Sequence, residues 1–134
     1  MKRLWLISLF MLGVVSTGFA QHQAKVIALL NKASWCPVCK ANGARFEQHI
    51  LPIIQHNKDI VMGVDDLSNA KTHDMSLKNL KKLGIEQFAR ENQATGMLFL
   101  LDARTKQLIN KVSLAESNEK IQHTIDEALS VASR

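Results

Sequence analysis

Cys36 and Cys39 are the only thiols in a chain of 134 residues, and they stand in a C-x-x-C spacing. A disulfide between them would close a loop of only four residues, which the chain-entropy account credits with about 2 kcal/mol, against almost 5 kcal/mol for a loop of about a hundred residues. As a structural staple the pair is badly placed. As a redox couple it is well placed. A helix that starts at the motif puts Cys36 in its first turn, where unpaired backbone N–H groups and the positive end of the macrodipole stabilise a thiolate. Cys39, three residues on, then lies on the same helical face one turn deeper. The spacing assigns Cys36 as nucleophile and Cys39 as resolving thiol. Cys36 would attack a partner's disulfide, Cys39 would displace the partner, and a Cys36–Cys39 disulfide would remain. Run backwards, the same steps oxidise a dithiol.

The elements around the motif are those such a site needs. Lys25 to Leu30 is a short apolar run of the kind that forms a strand buried on both faces, and it leads into Asn31-Lys32-Ala33-Ser34. Cys36 to His56 reads as a helix with Phe46, Ile50, Ile53 and Ile54 on one core-facing stripe, and Pro52 should kink or break it. Ile60 to Val64 is a second strand, ending in Asp65-Asp66, and Asn69 to Asp74 reads as a polar loop. Ser76 is the expected N-cap of a helix from Leu77 to Leu83, with Gly84 as its stop and a further turn or two from Ile85 to Asn92. Met97 to Leu101 and Leu108 to Ser113 are strands joined by a connection too short for a crossover, hence antiparallel. Ser117 can cap a final helix with Ile121, Ile125 and Leu129 on one face. The order is βαβαββα.

With these elements in place, Trp35-Cys36-Pro37-Val38-Cys39-Lys40, following a buried strand and opening a helix, resembles the active-site motif of the thioredoxin superfamily. The resemblance covers nearly all of residues 21–134 and implies an α/β class, thioredoxin-like fold: a central mixed four-stranded sheet flanked by helices. It implies a thiol-disulfide oxidoreductase in which Trp35 shields the thiols, Pro37 fixes the first helical turn and Val38 influences the redox potential. Lys32 and Lys40 could favour the thiolate further. Two departures stand out. The family's buried acid, six residues before the first cysteine, is here Leu30, so proton transfer to and from Cys39 falls to water or another group. The family's cis-proline facing the cysteines aligns with Gly96. A cis bond without proline costs about 3 kcal/mol, so Thr95-Gly96 is expected either trans or held cis by strain. Thr95 would still offer backbone groups to an extended substrate segment, and Gly96 would remove a side chain that hinders approach to the sulfurs. Trp35, Pro37, Thr95 and Gly96 are thus the expected substrate-binding residues.

The first residues bear on location. Lys2 and Arg3 precede the apolar run LWLISLFMLGVV, and Gly18 and Ala20 provide small residues for a cut after Ala20, the pattern of a secretory signal peptide over residues 1–20. The run is too short for the roughly twenty residues that span a membrane, so no stable anchor is expected after cleavage. Export, to a periplasm or beyond, makes cysteine-bearing exported proteins the expected partners, together with a redox partner that recycles the pair; a monomer without cofactor or metal is expected. The formal charge of +5 falls to +3 once Lys2 and Arg3 are removed, and the remaining cations are scattered among anions, so nucleic acid is not a partner. Two other readings compete. The thiolates could carry copper or another soft metal, with His73 the first choice of added ligand among His22, His49, His56, His73 and His123, which otherwise read as surface histidines. The chain could also be a redox-silent thioredoxin-like adaptor. Asp65-Asp66 reads as a pair of solvated turn acids, since adjacent strand residues point to opposite faces.

Overall fold

The computed structural model describes residues 21–134; the expected signal peptide over 1–20 lies outside the described residues. The apolar run forms β1 (Val26–Lys32), and the chain then turns into α1 (Pro37–His49). A break at Ile50 separates α1 from α2 (Leu51–His56), with Pro52 in the first turn of the second helix, where its missing N–H costs no intrahelical bond. The remaining elements are β2 (Ile60–Asp66), α3 (Ala70–Lys82), α4 (Glu86–Glu91), β3 (Met97–Asp102), β4 (Leu108–Ser113) and α5 (Asn118–Ala132).

The sheet order is β2-β1-β3-β4. Central β1 pairs parallel with β2 and antiparallel with β3, and β3 pairs antiparallel with β4, so the sheet is mixed as expected. Both faces of β1 are covered, which is why its pattern is a continuous apolar run and not an alternation. Val26, Ala28 and Leu30 pack with Phe46, Ile50 and Ile54 of the first helical pair and with Ile121 and Ile125 of α5. Ile27 and Leu29 point the other way, into a second cluster with Leu77, Leu80, Ile85 and Phe99. Burying the central strand twice over fixes its carboxyl end, and the cysteine motif begins four residues past that end.

The stretch from Asn69 to Asp74 is not a loop, and Ser76 is not a cap. Asn69 caps α3 by accepting the Thr72 N–H at 3.0 Å, while the Thr72 hydroxyl accepts the Asn69 N–H at 3.2 Å, a reciprocal capping box. Ser76 sits buried inside the helix, where its hydroxyl donates to the Thr72 carbonyl and accepts the Asp66 N–H. Because α3 starts early and β2 runs on to Asp66, the first turns of α3 cover the strand end. Asp65 is therefore fully buried, not a solvated turn acid, and its Oδ1 lies 2.8 Å from Nδ1 of His73, whose side chain is only 17% exposed. A Cβ on Gly63 would point at Leu80 of α3 and at Leu83, which caps that helix, so Asp65, two residues on, shares the α3 side of the sheet. Asn69→Ala should lower the urea midpoint by the equivalent of about 1 kcal/mol, and Asn69→Asp should retain most of the wild-type stability.

Candidate functional site

The turn after β1 closes through the Cys36 N–H, which donates to the Ala33 carbonyl at 3.2 Å. Cys36 has extended backbone angles, φ −75° and ψ 116°, and is the N-cap of α1. Its sulfur accepts the Cys39 N–H at 3.2 Å, the position a serine or aspartate oxygen takes at an ordinary helix start. Pro37 follows at the first helical position, where its ring presets the helical φ. No acidic residue lies in this first turn, so no carboxylate opposes a negative sulfur there. Both cysteines are free thiols in this structure.

The segment facing the motif arrives from the far end of the sequence. Gly96 donates its N–H to the Asn31 carbonyl at 2.8 Å and accepts the Leu114 N–H at 2.9 Å, so it is pinned between the end of β1 and the segment after β4. Its φ is +69°, a region that L side chains rarely adopt, and no cis peptide bond occurs among the described residues, so Thr95-Gly96 is trans. A Cβ on Gly96 would lie 2.7 Å from Val38 Cγ1 and 3.4 Å from Cys36 Sγ. The glycine therefore does the opposite of opening the sulfurs to approach: without a side chain the backbone closes onto Val38, and Cys36 is only 1% exposed. Cys39 lies further along α1, as expected, and as a whole residue is less buried than Cys36.

The surroundings divide the two thiols. Burial alone pushes Cys36 up, but hydrogen bonds from the Cys39 side chain, from Thr95 and from the backbone of Cys39 and Val38 outweigh it and hold the thiol below its ordinary range. Cys39 is pushed up by burial first and by its hydrogen bond with Cys36, with a lesser Coulombic push from Cys36, and these outweigh the opposing backbone hydrogen bonds from Ala33 and Gly96. Thr95 thus acts on Cys36 through its side chain, where only its backbone had been expected to matter. Lys32 and Lys40 are exposed and are not among the groups that lower Cys36.

Trp35 is 56% exposed, neither a core aromatic nor a buried shield, and Pro37 is exposed beside it, so both present surface next to the motif. Leu30 lies in the core on the α1 side of the sheet, with no carboxyl group at that position. His73, the first choice for a metal ligand with the cysteines, is instead paired with Asp65 on the α3 side. Among the described residues no group of three or more His, Cys, Asp or Glu side chains comes together to hold a metal ion. Sequence reasoning missed Asn31, fully buried, whose backbone anchors Gly96 and whose side-chain amide donates to the Asn92 carbonyl at 2.6 Å. Its signal was a polar residue directly continuing a run of buried apolar ones.

Two outcomes test this geometry. Since the thiolate is the reactive species, alkylation of Cys36 by iodoacetamide should rise with pH about a midpoint below that of an ordinary thiol, and Thr95→Val should move that midpoint upward. Gly96→Ala should cost about 1–3 kcal/mol in stability, through the positive φ and the clash with Val38, and should make Cys36 react faster by forcing the two segments apart.

The sequence matches no protein-family model and no curated protein. Among solved structures, the chain is similar to the crystal structure of Trxlp from Edwardsiella tarda EIB202, with 18% identity and a TM-score of 0.47 over 75% of this chain and 81% of that one. It is also similar to the solution structure of a candidate protein disulfide isomerase from Bacteroides thetaiotaomicron, with 22% identity and a TM-score of 0.50 over 79% of this chain and 74% of that one. At this level of identity the second likeness is one of fold. Together with the β2-β1-β3-β4 mixed sheet and the helices on its two faces, it makes this chain thioredoxin-like in fold.

Proposed function

We propose that the chain is a thiol-disulfide oxidoreductase whose working couple is Cys36 and Cys39 and whose partners are exported proteins that carry cysteines or disulfides. The observation that supports this most is the division between the two thiols: one sulfur caps a helix N-terminus and is held below the usual thiol range, while its neighbour is pushed above it. A thiol that ionises readily suits attack on a disulfide, and one that holds its proton suits the resolving step. The difference gives each a separate task.

In the forward direction the Cys36 thiolate attacks one sulfur of a partner disulfide. That bond breaks, the partner's other sulfur leaves as a thiolate and takes a proton, and Cys36 is joined to the partner. Cys39 then loses its proton and attacks the Cys36 sulfur, the mixed disulfide breaks, and the partner leaves fully reduced with the Cys36–Cys39 disulfide behind it. With Leu30 at the position of the family's buried acid, the Cys39 proton passes to water or to another group. The backbone N–H and C=O of Thr95 make no backbone hydrogen bond among the described residues, so they are free to pair with an extended partner segment laid across Trp35 and Pro37. Export follows from reading residues 1–20 as a signal peptide, and it would place the couple where disulfides persist.

A redox-silent adaptor is the second reading, and the near-complete burial of Cys36 beneath Gly96 favours it. Substitution separates the two. Cys39→Ser should accumulate disulfide-linked complexes through Cys36 that dissolve in dithiothreitol and are visible on non-reducing gels, and Cys36→Ser should accumulate none. An adaptor would trap nothing in either variant.

A further inference from the structure

Asn31 holds both feet of the arch that covers Cys36. The chain between α4 and β3 runs from Asn92 to Gly96, with Gln93 and Ala94 exposed and Thr95 half-buried. At one foot the Gly96 N–H donates to the Asn31 carbonyl at 2.8 Å, and at the other the Asn92 carbonyl accepts the Asn31 side-chain amide at 2.6 Å. Among the described residues no backbone hydrogen bond ties down Gln93, Ala94 or Thr95 between these points. The first bond is made by backbone and would form with any residue at position 31. The second needs this side chain. It sits where the sheet otherwise buries apolar groups: Asn31 continues the alternation of Ile27 and Leu29 toward α3, is fully buried, and its Oδ1 meets no donor among the described residues. Burying an amide with part of its hydrogen-bonding capacity unused is destabilising, and a leucine of nearly the same shape would suit this face. The bond to Asn92 is the one hydrogen bond the side chain makes among the described residues, and Asn92 in turn ends α4 and donates its own amide to the Phe88 carbonyl at 2.8 Å.

We infer that the Asn31 side chain is a positioning residue for the thiol pair: by clasping Asn92 it holds the 92–96 arch down, keeps Thr95 beside the Cys36 sulfur and sets how often that sulfur is uncovered. As a control on the nucleophile, the inference rests on the oxidoreductase reading above. A partner segment that pairs with Thr95 pulls on the arch between its two feet. Gly96 is held from two sides, by the Asn31 carbonyl and the Leu114 N–H, whereas the Asn92 foot is joined to the sheet through one side chain. The strength of that single bond therefore governs the lifting of the arch. Losing it shifts the balance toward the uncovered form by the factor one hydrogen bond represents, about threefold to tenfold.

The test is the rate at which iodoacetamide modifies Cys36 in the reduced chain, with the modified sulfur located by fragmentation mass spectrometry. At a pH well above the Cys36 midpoint ionisation is complete, and the rate reads access alone. Asn31→Leu keeps the shape of the side chain and removes its donor, and it should raise this rate about threefold to tenfold. Asn31→Thr, which suits a strand but is too short to reach Asn92, should do the same and serves should the leucine variant not fold. A clasp also differs from a merely structural residue in its response to denaturant. Lifting a short arch exposes little surface, so the Cys36 rate in wild type and in both variants should stay flat through urea concentrations below the unfolding transition, whereas access through global unfolding climbs steeply with urea. Wild-type Cys36 rates in a folded variant, or a wild-type rate that climbs with urea in step with unfolding, would overturn the inference. These rates involve no disulfide exchange, so that result would overturn the clasp alone, and the trapping experiment with Cys39→Ser decides the oxidoreductase reading separately.

Discussion

The site depends on a sulfur atom doing the work of a helix cap. The Cys36 sulfur accepts the Cys39 N–H at 3.2 Å, and that one contact couples secondary structure to chemistry. It satisfies a backbone donor that the start of α1 would leave unpaired, and it stabilises the anionic form of the sulfur more than the neutral form. It also ties the two cysteines together before any disulfide exists, since the donor belongs to the second residue of the pair. For the contact to form, the chain must leave β1, make a tight turn and enter α1 within a few residues. The double burial of β1 and the ring of Pro37 hold that path.

The second constraint is the approach of the Thr95-Gly96 segment. It reaches the motif because β3 pairs antiparallel with β1, which places the residue before Met97 beside the carboxyl end of the central strand. The Asn31 carbonyl and the Leu114 N–H hold it there from two sides. With proline absent, the backbone takes a trans bond and a positive φ, and it settles directly on Val38. The middle residues of the motif are therefore packing residues as well as modulators of the sulfur: Val38 and Gly96 together form the cover over Cys36.

Most of the architecture was legible in the residues because it rests on short-range chemistry. The apolar run of β1, the stripe through Phe46, Ile50 and Ile54, the break that Pro52 announces two residues early at Ile50 and the Ser117 cap each carry a local signal. The start of α3 did not show because its first turn is wholly polar and its capping box uses Thr72 in place of the usual Glu or Gln, while Ser76 imitates a cap from inside the helix. The Asp65–His73 pair is hidden for a related reason: opposite-facing neighbours on a strand suggest solvated acids, and only the early turns of α3 reveal that one of the two faces is covered. At the site, the identity and spacing of the thiols were local facts, whereas their exposure is set by a segment some sixty residues away. No periodicity near Cys36 could have shown that Gly96 closes the space above it.

The burial of Cys36 and its assignment as the nucleophile are compatible because the cover is made of few and weak parts. Gly96 contributes no side chain, and Val38 contributes one branched methyl pair to a half-buried position in the first turn of α1. A partner segment that pairs with the free N–H and C=O of Thr95 would pull on the same short stretch that covers the sulfur, so recognition and exposure of the nucleophile become one event. The stabilised anion loses little in the process, since the Cys39 N–H belongs to the helix and stays in place when the loop moves. A couple built in this way keeps its reactive sulfur covered until a partner of suitable shape arrives.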